Sequence, residues 1–193
     1  VNRIGADVPG MPRWMRVLSP LIPMAAGPFP VAFFIGVLAG EEPIDHTQKQ
    51  VLRNSDNLPP VLSRIMEIHV AEEARHISFA HTYVARNAPK LSRSQNLAVS
   101  LAFPVIMRLL CDAILKPTKE FRDEFDIPDE VVRELYWDAP ESRRFLSDLF
   151  GDVRKLAEES GLMNPMARRM WKAMKIDGRP SRYRGEPPVA FRD

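Results

Sequence analysis

Within the segment IHVAEEARHISFA, covering residues 68–80, His69, Glu73 and His76 fall four and three residues apart. At about 100° per residue a helix brings all three side chains within about 60° of one another, onto a single patch. They belong to a longer seam, Leu62, Met66, His69, Glu73, His76, Ala80 and Tyr83, whose spacing alternates between four and three residues. That period turns one helix face toward neighbouring helices. Burying a carboxylate and two imidazoles without partners costs several kcal/mol each, and a divalent metal is the commonest way to satisfy such a trio. Metal binding is therefore the chemistry expected of His69, Glu73 and His76. The competing reading is a seam that is partly exposed, or a hydrogen-bond network that closes on itself.

A carboxylate from the preceding helix is the next requirement, and Glu41-Glu42 follows the uncharged run AFFIGVLAG. The stripe through Glu41 reads Phe34, Val37, Leu38, Glu41, Ile44, Gln48, Val51, Leu52. The stripe through Glu42 reads Ile35, Leu38, Ala39, Glu42, Asp45, His46, Lys49, Arg53. The first is more apolar beyond the carboxylate and favours Glu41 as the inward residue, although Pro43 disturbs the helix just there and Glu42 stays an alternative. His46 and His81 lie off the expected core stripes and read as surface histidines.

The elements that must position these residues are helical throughout, with no alternating strand pattern and no internal repeat. The expected helices run from Arg13 to Leu18, Pro30 to Asn54 with a kink at Pro43, Pro59 to Asn87, and Ser92 to Lys116 with a kink at Pro104. Shorter ones come after them at Pro128 to Trp137, Pro140 to Ser160 and Pro165 to Met174, several opened by a proline near the first helical position. Residues 1–174 then form one all-α domain, and residues 175–193 an irregular tail, solvated or held by a partner.

The chain has 193 residues, 45% hydrophobic and 27% charged, a globular composition with room for a real core. A net charge of +2 gives little support to nucleic-acid or acidic-membrane binding. The uncharged stretch Val17–Gly40 is broken by Pro20, Pro23, Pro28 and Pro30, so a Pro-rich entry loop leading into a buried helix is expected there rather than a membrane span. A single cysteine, Cys111, excludes an intrachain disulfide and a cysteine-based zinc cluster, and fits a cytoplasmic protein. No nucleophile elbow, phosphate-cradling loop or His-Glu-x-x-His string occurs.

Glu73-x-x-His76 projecting into a helical bundle is half of the site of ferritin-like di-iron carboxylate proteins. IHVAEEARHISFA, with GEEPID upstream, resembles the p-aminobenzoate N-oxygenase (AurF-like) family over at least Gly36 to Val84, the extra His69 separating that family from plain ferritin-like proteins. The resemblance implies an all-α, ferritin-like bundle whose metal ligands include His69, Glu73, His76 and one Glu of the 41/42 pair. The family's ungapped spacing to His69 suits Glu42, whereas the local pattern E-x-x-I-D suits Glu41. Glu72-Glu73-Ala74-Arg75-His76 is also similar to a string in bacterial multicomponent monooxygenases, which implies supporting roles beside the metal for Glu72 and Arg75. Asp45 is a further candidate for orienting a ligand.

The activity that this resemblance implies is that of a non-haem di-iron oxygenase. Two iron ions, with manganese as the alternative, would activate O2 to oxygenate a small organic substrate, with an arylamine nitrogen as the leading target. The electron donor is unspecified, and a homodimer is one expected assembly. Family members carry an earlier Glu and a second Glu-x-x-His that this sequence lacks, and it starts at Val1, so the expectation is the C-terminal portion of a longer protein holding half a site. The rival readings are a non-catalytic metal-binding bundle and a membrane-associated helical protein.

Overall fold

The computed structural model of the chain describes residues 16–17, 19–24, 26–54 and 58–180. Most of the expected helix Arg13–Leu18, and the tail from residue 181 onward, lie outside the described residues. Helices follow in the order α1 (Leu21–Met24), α2 (Pro30–Asn54), α3 (Pro60–Asn87), α4 (Arg93–Leu115), α5 (Lys119–Glu124), α6 (Asp129–Arg133), α7 (Pro140–Leu149), α8 (Gly151–Glu159) and α9 (Pro165–Ala173). A 3₁₀ turn, Ala88–Lys90, links α3 to α4, and a π-helical turn, Glu134–Asp138, precedes α7. No strand occurs among the described residues, and the chain is an all-α bundle.

Each long helix begins where its sequence provides a start. Pro60 opens α3, where its missing N–H costs nothing. Ser92 caps α4 with a reciprocal capping box: its hydroxyl accepts from the Gln95 N–H while the Gln95 side chain accepts from the Ser92 N–H. Both α2 and α4 continue as single helices through their internal prolines, Pro43 and Pro104, which are buried.

The organising element is α2, which packs against both α3 and α4. Val31, Ile35, Leu38 and Ala39 of α2, Ile77, Ala80 and Val84 of α3, and Phe103, Met107 and Cys111 of α4 form one continuous core. A second portion of that core, closed by α7, α8 and α9, contains Leu149, Phe150, Val153, Leu156 and Trp171. The expected single helix Pro140–Ser160 is divided at Phe150, whose N–H bonds back to the carbonyls of Leu146 and Asp148 in a tightened last turn. The break lets Leu149, Phe150 and Val153 all face inward.

The short helix α1 stands within the stretch expected to be an entry loop. Residues 175–180 hold no regular element, yet Ile176 is fully buried, so the tail begins as packed chain rather than as a solvated extension. By length and composition alone, Arg93–Glu124 is the one stretch among the described residues apolar enough to cross a membrane, in place of Val17–Gly40. On α3 the residues Val61, Ile65, Ile68 and Phe79 leave an exposed apolar flank.

Candidate metal centre

Glu73 reaches the interior because it sits one turn before Ile77 on the stripe that packs against α2, leaving it 7% exposed. Its two carboxylate oxygens face different imidazoles. Oε1 lies 3.0 Å from His69 Nε2, and Oε2 lies 3.9 Å from His76 Nδ1. From α2, Glu41 brings Oε1 to 3.3 Å from the same His76 Nδ1. One ligand atom each from Glu41, Glu73 and His76 lies within 4.8 Å of the others, the only such group of metal-type donors among the described residues.

Electrostatics set this cluster apart. Glu41 Oε2 and Glu73 Oε2 are buried and have no hydrogen-bond partner among the described residues. Burial, and then the neighbouring Glu73 carboxylate, push Glu41 up from its ordinary 4.5 to about 7, with His76 only partly opposing them. Two carboxylates turned toward each other in a partly desolvated place are relieved by a proton on one of them or by a cation between them, and the carboxylate–imidazole donor set suits iron or manganese.

The seam expected to be wholly interior is in fact the edge of the interface. The buried stripe of α3 runs through Glu73, Ile77, Ala80 and Val84, which leaves the side chain of His76 57% exposed and that of His69 44% exposed. His76 lies about 60° round the helix from Glu73 and about 100° from Ile77, at the margin of the stripe that α2 covers. The cost of burial therefore falls on the carboxylates and not on the imidazoles.

The two glutamates of α2 part company. Glu41 turns to the cluster, and Glu42, more deeply buried, pairs with His81 at 2.7 Å. Because α2 is covered on two sides, both of its stripes are interior, and the more apolar stripe is not the more buried one. His81 is consequently no surface histidine. Its side chain is mostly enclosed, and a helix covered by α2 on that side is the reason. His46 is half-buried with its ring edge-on to Phe145 at a centroid distance of 5.4 Å, and burial lowers its pKa.

Of the supporting residues, Asp45 is buried, bonded through Oδ2 to Lys49 at 2.7 Å, and leaves Oδ1 without a partner among the described residues. Glu72 and Arg75 pair with each other on the exposed flank of α3, and the Arg75 hydrogen bond holds the Glu72 carboxyl below its usual range. Two features escaped sequence reasoning. Gln48 of α2 meets His69 Nδ1 at 3.0 Å, a contact a one-helix pattern cannot reveal. Phe34, Phe79 and Tyr83 form an aromatic group with Phe34 centroids 5.4 and 4.4 Å from the other two, and Phe79 is one turn beyond His76. Cys111 is buried, its thiol pushed up to about 12, which disqualifies it as a nucleophile. A cleft of about 420 Å³ beside Thr47, Tyr136 and Phe145 contains none of the cluster's residues.

Comparison with known proteins agrees with this chemistry. The chain is 63% identical over 187 residues to uncharacterized proteins of Mycobacterium bovis and Mycobacterium tuberculosis, covering 97% of this chain and 55% of theirs. A second Mycobacterium tuberculosis strain has an uncharacterized protein 62% identical over the same length. The chain thus spans about half the length of the curated relatives it matches. No solved structure matches it. Residues 1–161 match the family described as p-aminobenzoate N-oxygenase AurF, well over half of the sequence. With a carboxylate–histidine cluster on paired helices and a match of that extent, the chain belongs to the AurF p-aminobenzoate N-oxygenase family.

Proposed function

We propose that this chain supplies metal ligands of a non-haem di-iron oxygenase. The observation that carries the reading is the pair of buried, unpartnered oxygens on Glu41 and Glu73, aimed at one another beside His76. Glu41, Glu73 and His76 would hold one cation between them, and His69 lies on the other oxygen of Glu73. Glu73, with one oxygen toward each imidazole, would be the residue common to both sides of the centre. Four side chains are fewer than two irons require, so further ligands from the whole protein are part of this reading. When bound, the irons would supply the activation of O2.

The residues of this chain have separate tasks. Glu41 and Glu73 provide negative charge in a place where water is largely excluded, which strengthens their hold on a cation. The open side of His76 leaves a route by which small molecules reach the cluster. The aromatic group of Phe34, Phe79 and Tyr83, one turn away, offers ring faces to an aromatic substrate, which supports an arylamine nitrogen as the target. A cytoplasmic location and a homodimer complete the reading, the first supported by a lone, reduced cysteine.

Elemental analysis of the whole protein tests it. Two irons per chain, lost in His76→Ala while the helical circular dichroism is kept, are expected, followed by O2 uptake on addition of arylamines. A protein that carries no iron or manganese after expression in metal-supplemented medium refutes the reading.

A further inference from the structure

We propose that Gln48 is the positioning residue for His69, fixing the imidazole so that Nε2, and not Nδ1, faces the metal cluster. The inference rests on the metal-binding reading above, and its geometry is independent of it. A neutral imidazole donates from one ring nitrogen and offers a lone pair on the other, and the partner of the first decides which is which. Gln48 Oε1 lies 3.0 Å from His69 Nδ1. An amide oxygen only accepts, so Nδ1–H donates to Gln48, and the ring is held with Nε2 toward Glu73, where it donates to Oε1 at 3.0 Å in the metal-free protein and gives up that proton when a cation takes its place.

The placement is a property of two rigid helices. Gln48 lies seven residues after Glu41 on α2, and His69 lies seven residues before His76 on α3. Glu41 meets His76 and Gln48 meets His69, so the helices run antiparallel with the two contacts two turns apart. One face of α2 thus delivers a carboxylate to one imidazole and a neutral amide to the other. Neutrality matters at this position, because a third carboxylate would add to the repulsion that already raises Glu41. The amide orients His69 without adding charge. His76 is treated differently, since its Nδ1 is the atom turned to Glu41 and Glu73. The two histidines therefore address the same carboxylate through opposite ring nitrogens.

The test is ring-nitrogen NMR on the whole protein with ¹⁵N-labelled histidine, metal-free and loaded with Zn(II) as a diamagnetic probe. Parent protein is expected to show His69 protonated at Nδ1 in both states. In Gln48→Leu the metal-free ring is expected to populate the other tautomer, and Zn(II) affinity, measured against a chromophoric chelator, to fall by about 10–100-fold, as for other residues that orient ligand histidines. Gln48→Glu keeps an acceptor oxygen and is expected to restore Nδ1 protonation. Circular dichroism confirms that each variant is folded. His69 bare at Nδ1 in the parent, or ring signals in Gln48→Leu identical to the parent, overturns the proposal. Ring signals that respond as expected in a protein that binds no Zn(II) uphold the positioning and refute the metal reading instead.

Discussion

Glu73 on α3 and Arg154 on α8 are both charged and both buried, yet their surroundings are opposites. The Arg154 guanidinium donates to the carbonyl of Ile176 at 2.9 Å, to that of Arg179 at 2.8 Å, and to that of Ser147. Every direction it points in is answered, and the chain crosses it at Gly178, where φ is +155° and a Cβ would meet the guanidinium. Glu73, with Glu41 beside it, keeps Oε2 without a hydrogen bond among the described residues, His76 Nδ1 standing 3.9 Å off. A buried charge with its partners in place fastens the fold, here residues 176–179 onto α7 and α8. A buried charge with an oxygen left open among the described residues has room for a partner from outside them.

The comparison can be broken by exchanging the charges for apolar groups. In Glu73→Leu, metal retention is expected to fall to none while the metal-free protein melts no lower than the parent. Removing the carboxylate relieves its repulsion with Glu41 and its burial, and the imidazoles it leaves, His69 and His76, are exposed enough to be solvated instead. Elemental analysis and a thermal melt read both halves of that statement. Arg154→Met is expected to do the reverse. Loss of its charge-assisted bonds costs about 3 kcal/mol, and a melting point lower by roughly 6–12 °C is expected for a chain of this size, with metal content unchanged.

A finer contrast separates the neighbours Glu41 and Glu42. Glu41→Gln is expected to lose stoichiometric metal with little effect on the metal-free melt. Glu42→Gln is expected to retain metal and to cost about 1–2 kcal/mol by weakening the bond to His81. Metal content of the two variants side by side decides between them.

The smallest effect is a pH dependence. Between pH 4.5 and about 7 the folded protein keeps a proton on Glu41 that the unfolded chain has released. The folded state then binds more protons than the unfolded one, so this group's contribution to stability is present at the acid end and is lost as pH rises through that window. Melting curves of the metal-free protein from pH 5 to 8 should show that slope, and Glu41→Gln should flatten it.

Much of this was legible in the residues. Helix periodicity, proline starts and the Ser92 cap specify their elements through contacts between residues close along the chain, which any reading of local pattern captures. The spacing of His69, Glu73 and His76 belongs to the same class, because one helix determines their mutual direction. The break at Phe150 was illegible, since nothing local to Pro140–Ser160 says that Leu149, Phe150 and Val153 must all turn to one core.

Whatever depended on a second helix was beyond the pattern. That Glu41 turns to His76 and Glu42 to His81, that Gln48 meets His69, and that His76 stands at the edge of the interface are all consequences of how α2 lies between α3 and α4. A stripe of residues states which face of a helix is apolar, and it carries no information about how many neighbours cover that helix. Residue types and spacing thus determine that a metal-type donor set exists on α3. The packing of α2, covered on two sides, decides which of its side chains completes that set and which oxygens are left without a partner.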